Sequence, residues 1–198
     1  GHLRESTIRS IAQQYGVNVK HSTHVKEFSL KLFDALADYH KLGTREREWL
    51  ESAAMLHDVG YHISVDQHHK HSYYIISHCV MPGFTNDEAE VIANIARYHR
   101  KSHPKKKHEN FARLTPERQD IIRKLAGILR IAEGIDRRQM QIVKDIEIEK
   151  SNNSIRIKLI PNDSNMLPDV EVWGAERRKP LLEETLGISI EFFIDNIP

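Results

Sequence analysis

The 198 residues suffice for one medium domain, or one domain with a small appendage, and for a sizeable core. Basic and acidic side chains nearly cancel, 29 against 28, so overall charge singles out no specific nucleic-acid partner, and no apolar stretch approaches the roughly 20 residues that span a bilayer. The single cysteine, Cys79, excludes an internal disulfide framework and a thiolate zinc cluster, which suits a reducing cytoplasm.

From Ser6 to about Glu133 apolar residues recur at helical spacing, with turn signals between the runs. Ile8, Ile11, Ala12 and Tyr15 predict a first helix that stops at Gly16. Val25, Phe28, Leu32, Phe33 and Leu36 predict a second, ending before Gly43. Thr44 reads as the N-cap of a third helix, with Glu46 to Glu48 at its positive end, that runs into His57. A fourth covers about His68 to Cys79 and breaks at Pro82-Gly83. Thr85 caps a fifth, Asp87 to His99. Lys101 to Glu109 is a loop carrying Lys105-Lys106-Lys107, a solvated charge run or a patch for an anion. Thr115-Pro116-Glu117 opens the last long helix, whose stripe of Ile121, Ile122, Leu125, Ile128, Leu129 and Ala132 ends at Gly134.

After Met140 the pattern alternates. Ile146 and Ile148, then Ile155, Ile157 and Leu159, flank Ser151 to Ser154 as a hairpin; Val170 to Trp173 predicts a third strand, Ala175 to Leu186 a charged helix and Ile188 to Phe193 a last strand. The expected architecture is therefore mainly α: a helical domain over residues 1–140 and a small α+β subdomain over residues 141–198.

Histidine is abundant, 13 in all, and dense between His57 and His78 and between His99 and His108. His57-Asp58 closes an apolar helix just before Gly60. Adjacent helical side chains point about 100° apart and can converge only where the backbone turns. Candidate ligands sit at the ends or inner faces of several helices: His24, His57, Asp58, His71, His99 and Asp136. All are nitrogen or oxygen donors, suited to manganese, magnesium, iron, nickel or zinc, as one ion or two. Each has a plainer role available. His24 can be a core histidine one turn before Phe28, the doublet a helix-end hydrogen bond, and Asp136 a cap after Gly134.

The order His24, His57-Asp58, Asp136 resembles the HD superfamily of metal-dependent phosphohydrolases. Four blocks, Leu56 to Ser64, His68 to Tyr74, Ala96 to Lys101 and Leu129 to Arg137, resemble more closely the C-terminal region of the exopolyphosphatase and guanosine pentaphosphate phosphohydrolase (Ppx/GppA) family, over nearly the whole chain. That resemblance implies an HD-type helical bundle. It also implies that the family's named reaction belongs to a pair of actin-like domains outside this region, and no glycine-rich phosphate loop occurs here.

If the HD ligands assemble, Asp58 is the catalytic candidate, placed to bridge the ion and the attacking water. Lys70, Arg97, Arg100, Lys101 and Arg137 lie within three residues of a proposed ligand and can hold phosphate or end as solvated helix termini. His71 and His99 can add a second ion or act by orienting carboxylates. His62, His68, His69, His103 and His108 take no assigned role. Two functions remain open: a metal-dependent phosphohydrolase module acting on phosphoanhydrides or phosphoesters, and a non-catalytic module that binds polyphosphate, a guanosine alarmone or another phosphorylated small molecule for an actin-like half. The edges of the small sheet, Ile155 to Leu159 or Ile188 to Phe193, offer a surface for a homodimer, as the resemblance also implies.

Overall fold

The computed structural model describes residues 2–195, and it is mainly α with a small α+β unit at the C-terminal end. Helix α1 (His2–Gln14) buries Ile8, Ile11 and Ala12. Helix α2 (Val19–Ala35) starts on Asn18, whose side chain accepts from the His21 amide at 3.2 Å, and a single turn, α3 (Ala37–His40), follows it. Helix α4 (Thr44–Leu56) leads into a 3-10 turn over Val59–His62, then α5 (His68–His78) and α6 (Asn86–Arg97). After the one-turn α7 (Glu109–Ala112) comes α8 (Pro116–Ile135), which buries Ile121, Ile122 and every residue from Leu125 to Ile135.

The caps follow the chemistry of their residues. Thr85 Oγ1 accepts from the Glu88 amide at 3.1 Å while Glu88 returns the bond to the Thr85 amide, and Thr115 accepts from Arg118 with Pro116 in the first turn. The third helix differs from expectation: Gly43 is its N-cap, Thr44 is its first helical residue, and Glu46 accepts from the Gly43 amide at 3.4 Å.

Glu88 ties three segments together, accepting from Trp49 Nε1 at 3.0 Å and pairing with Arg4 at 2.5 Å. Burial works to raise its carboxyl pKa, but the Trp49, Arg4 and Thr85 contacts outweigh it and bring the value down to about 2. A depressed carboxylate stabilises the fold above its unfolded value and loses that contribution as pH falls through its folded value. The melting temperature of the native chain should therefore exceed that of Glu88→Gln at pH 6, with the gap closing between about pH 4.5 and pH 2. A gap that is constant across that range would refute the assignment.

In the C-terminal unit β1 (Val143–Ser151) and β2 (Ser154–Pro161) form the expected hairpin, with Ile148 opposite Ile157 and Ile146 opposite Leu159. The predicted strand Val170 to Trp173 is instead part of helix α9 (Asp169–Arg178), followed by α10 (Pro180–Leu186) and β3 (Ser189–Phe193). The alternation of Val170 and Val172 misleads because the buried positions are Glu171, Gly174 and Ala175, a helical spacing. Glu171 is neutralised by Arg138, at 2.7 Å. The sheet order is β1-β2-β3, with β3 parallel to β2.

This order places β2, Ile155 to Leu159 included, in the centre of the sheet, where it presents no edge. The outer edge of β3 is also engaged: the Ile190 and Phe192 amides donate to Glu183 and Glu176 at 2.8 and 2.9 Å, and Lys179 donates to the Ile190 carbonyl at 2.7 Å. Neither segment offers the free strand edge expected for a dimer.

The core runs without a break from Ile8 through α8 to Phe192, across the boundary drawn at 140/141. The join is tight. A Cβ on Gly134 would lie 2.8 Å from the Gly174 carbonyl oxygen, and a Cβ on Gly174 would lie 2.9 Å from that of Gly134, so α8 and α9 meet backbone to backbone. Among the described residues no helix is long and apolar enough to cross a membrane.

Candidate metal centre

Five helices deliver polar side chains to one buried point. His21 comes from the first turn of α2, His57 and Asp58 from the end of α4, His68 from the start of α5, His99 from just past α6, and Glu133 and Asp136 from the end of α8. All seven are buried. So many ionisable groups out of water are tolerated only if they neutralise one another or share an ion.

The backbone fixes the imidazoles. The rings of His57 and His99 donate from Nδ1 to the carbonyls of Ala54 and Ala96, each at 2.6 Å, and His21 donates from Nδ1 to Asp136 Oδ2 at 2.7 Å. That orientation turns Nε2 of each ring inward. His21 Nε2 lies 3.0 Å from Glu133 Oε2 and 3.5 Å from Asp58 Oδ2, and His57 Nε2 lies 3.3 Å from Asp58 Oδ2. Yet neither Nε2 has a hydrogen-bond partner, because these approaches lack the required geometry. Ring nitrogens and carboxylate oxygens that converge without bonding leave the place a cation would fill.

Asp58 stands between two triads. Its Oδ2 faces His21 and His57, and its Oδ1 lies 3.1 Å from His68 Nε2 and 3.6 Å from His99 Nε2. His21, His57 and Glu133 form one group able to hold an ion, and Asp58, His68 and His99 a second. His68 differs from the others: Arg100 donates to its Nδ1 at 2.8 Å, which leaves the ring hydrogen on Nε2, toward Asp58. Tyr61 stacks on the same ring at 3.9 Å.

The electrostatics follow the geometry. Burial pushes the His21 imidazole down, but Asp136, Glu133 and Asp58 outweigh it and raise its pKa to about 9, so the ring would release its Nε2 hydrogen on taking an ion. Burial likewise opposes the charged form of His57, which Asp58 restores, so its pKa lies above the usual value. The Asp58 carboxyl is raised by burial and lowered more by His57, His68 and His99, and it ends well below the carboxylate range. Glu133 is held down in the same way by His21 and Arg178, the latter at 2.8 Å. His99 stays neutral, since burial and the neighbouring His57 both disfavour its charge.

Several expected residues lie elsewhere. His24 is half-buried, packs edge-on against Phe28 at 4.4 Å and bonds through Nε2 to the Val143 carbonyl at 2.5 Å, the core role that was its alternative; His21, one turn earlier, takes the inner place. His71 lies outside both triads, and His68 occupies the place expected for it. Asp136 reaches the cluster by holding His21, and by accepting from Gln141, while Glu133 provides the oxygen nearest the imidazoles. Gly60 does not adopt a left-handed conformation. Its hydrogen instead makes room for α5, since a Cβ there would lie 1.9 Å from the His68 carbonyl oxygen.

Among the cations, Arg100 touches His68, while Arg137 and Lys101 are exposed near the cluster's ends of α8 and α6. Lys70 and Arg97 line a separate cavity with Tyr73 and Arg113. Arg130 was not foreseen; its buried guanidinium donates to the carbonyls of Tyr98, Lys101 and Ser102 at 2.7, 2.7 and 2.8 Å and so fixes the loop that carries His99.

A family model described as Ppx/GppA phosphatase, domain III, matches residues 3–179. The chain is similar to a guanosine-5'-triphosphate,3'-diphosphate pyrophosphatase of Pseudoalteromonas atlantica, 31% identical over 156 residues, which make up 78% of this chain and 30% of that protein. It is similar also to the protein of the same name from Pseudoalteromonas translucida, 32% identical over 99 residues, 50% of this chain and 20% of that one. The chain thus spans less than a third of the length of the curated relatives it matches.

Proposed function

Since the chain belongs to the Ppx/GppA phosphatase family as its domain III, we propose that it is an HD-type metal-dependent phosphohydrolase module, cleaving a phosphoanhydride or phosphoester bond at the buried cluster. The observation that carries this reading is the unbonded Nε2 of His21 and of His57, each facing carboxylate oxygens. A structural polar network satisfies its members, whereas a ligand set keeps lone pairs free.

His21, His57, Glu133 and Asp58 would hold the first divalent ion, and Asp58, His99 and His68 the second if two are bound. Nitrogen and oxygen donors fit manganese, magnesium, iron, nickel or zinc. The ion supplies charge neutralisation of the phosphate and a water acidified to near neutral pH. Asp58, whose two oxygens face the two triads, would orient that water. Arg100, with Arg137 and Lys101 further out, steadies phosphate oxygens. With one ion bound, His68 would keep a hydrogen on Nε2 and be the group able to protonate a leaving oxygen; as a ligand of a second ion it would give up that hydrogen and that role. Asp136 orients His21, and Arg178 and Arg130 hold Glu133 and the His99 loop. The substrate class is a phosphorylated small molecule, polyphosphate or a guanosine alarmone, and the single cysteine suits a cytoplasmic setting.

Metal analysis of the purified chain should find a divalent ion, and a manganese-supplemented assay on nucleotides, polyphosphate and a chromogenic ester should detect hydrolysis that Asp58→Ala lowers at least about 100-fold. His24→Ala should keep its metal and activity and lose only about 1 kcal/mol of stability with the Val143 bond. A metal-free native chain, or activity indifferent to Asp58→Ala, would end the catalytic reading.

A second reading has its own support, because the matched stretch is 30% of one relative and 20% of the other. There the module binds the phosphorylated ligand, and pairs copies, for a catalytic half elsewhere. Metal retention without turnover on any substrate would favour it.

A further inference from the structure

The two cations that do not reach the buried cluster are also without ion-pair partners among the described residues. Lys70 and Arg97 line a cavity of about 600 Å³ between α5, α6 and the segment that follows α7. On α5, Lys70 lies two residues beyond His68, roughly 200° around the helix, so the two side chains leave on opposite sides. Arg113, on the same wall, is already neutralised by Glu90 at 2.6 Å, and Glu90 also accepts the Tyr73 hydroxyl. The uncompensated charge of the cavity is therefore that of Lys70 and Arg97.

Two further features surround it. Tyr74 is 57% exposed and stacks on His78 with ring centres 4.3 Å apart, giving the wall a flat aromatic face. Lys105 and Lys107 share the neighbourhood of Lys70 and Arg97, since the pKa of His108 is held down first by burial and then by Arg97, Lys107, Lys105 and Lys70.

We propose that this cavity is a second ligand site, distinct from the buried cluster, which takes a nucleoside diphosphate: the pyrophosphate group between Lys70 and Arg97, the base against Tyr74 and His78. Its volume lies within the range of small-molecule sites, roughly 300 to 1,000 Å³. Cations alone would accept any polyanion. The aromatic wall is what selects a ligand with a ring.

Calorimetric titration of the full chain with ADP, and separately with inorganic pyrophosphate, tests this. ADP should bind saturably and at least about fivefold more tightly than pyrophosphate. The double change Lys70→Ala and Arg97→Ala should weaken both ligands by about tenfold or more, with less effect at high salt. Tyr74→Ala, at an exposed position, should weaken ADP alone, and Asp58→Asn should leave ADP affinity unchanged. The proposal is overturned if ADP does not saturate, if pyrophosphate binds as tightly, if the Lys70, Arg97 and Tyr74 variants bind ADP normally, or if Asp58→Asn abolishes ADP binding, which would place the ligand on the buried cluster.

Discussion

Gly60→Ala is expected to lower the stability of this chain by about 3 kcal/mol or more, one of the largest effects of any single methyl group here. The new Cβ would lie 1.9 Å from the His68 carbonyl oxygen, 2.5 Å from the Ser72 amide nitrogen and 2.7 Å from Ser72 Oγ. Two of these are backbone atoms of α5, so relief requires the helix to move. Ser72 accepts the movement least easily, for its hydroxyl accepts from the Gly60 amide and donates to the His57 carbonyl, at 2.8 and 2.7 Å. The same displacement carries His68 away from Asp58. Denaturant unfolding of the variant should show the loss, together with weaker metal retention. A midpoint matching that of the native chain would mean that α5 is not fixed where the structure has it.

The second large effect separates two carboxylates one turn apart. Glu133→Gln should weaken metal binding more than Asp136→Asn does. Groups that only orient a ligand are worth about 10- to 100-fold in metal affinity, which is the loss expected for Asp136, whose contact with the site is through His21 Nδ1. Glu133 faces His21 Nε2 directly at 3.0 Å, so its loss should exceed about 100-fold and should also leave Arg178 without its partner. Metal titrations of the two variants give the order, and the reverse order would restore Asp136 as the direct ligand.

The distance between those two residues is also the measure of what the sequence discloses. His24 gave way to His21, His71 to His68, and Asp136 to Glu133 as the nearest oxygen. Each displacement is three residues toward the N-terminus. Residues three apart share a helix face, so the apolar period identifies the inward side, but the height along the axis differs by about 4.5 Å and is set by how far each helix slides against its neighbours. The stripe of Val25, Phe28 and Leu32 does extend back to His21 at the same spacing, and Ser72 and Ile75 extend back to His68. That phase was the available signal.

The doublet His57-Asp58 was legible because it lies where α4 ends, a height that the chain marks for itself. The caps at Thr85 and Thr115 were legible for the same reason, being local hydrogen bonds between residues three apart. The α9 segment was not, since Glu171 is buried only because Arg138 meets it from across the fold. Arg178 and Arg130 were equally hidden, as long side chains whose partners lie far away in sequence.

The backbone contact of Gly134 with Gly174 lies between Glu133 and Asp136, and four residues after Gly174 comes the arginine that holds Glu133. The C-terminal unit is thus the outer half of a clamp on the last turn of α8. Ending the chain after Met140 would not yield a smaller protein with the same centre. It would release one jaw, letting Glu133 turn toward water and loosening the aspartate that aims His21, so an assay on such a fragment would report on a different molecule.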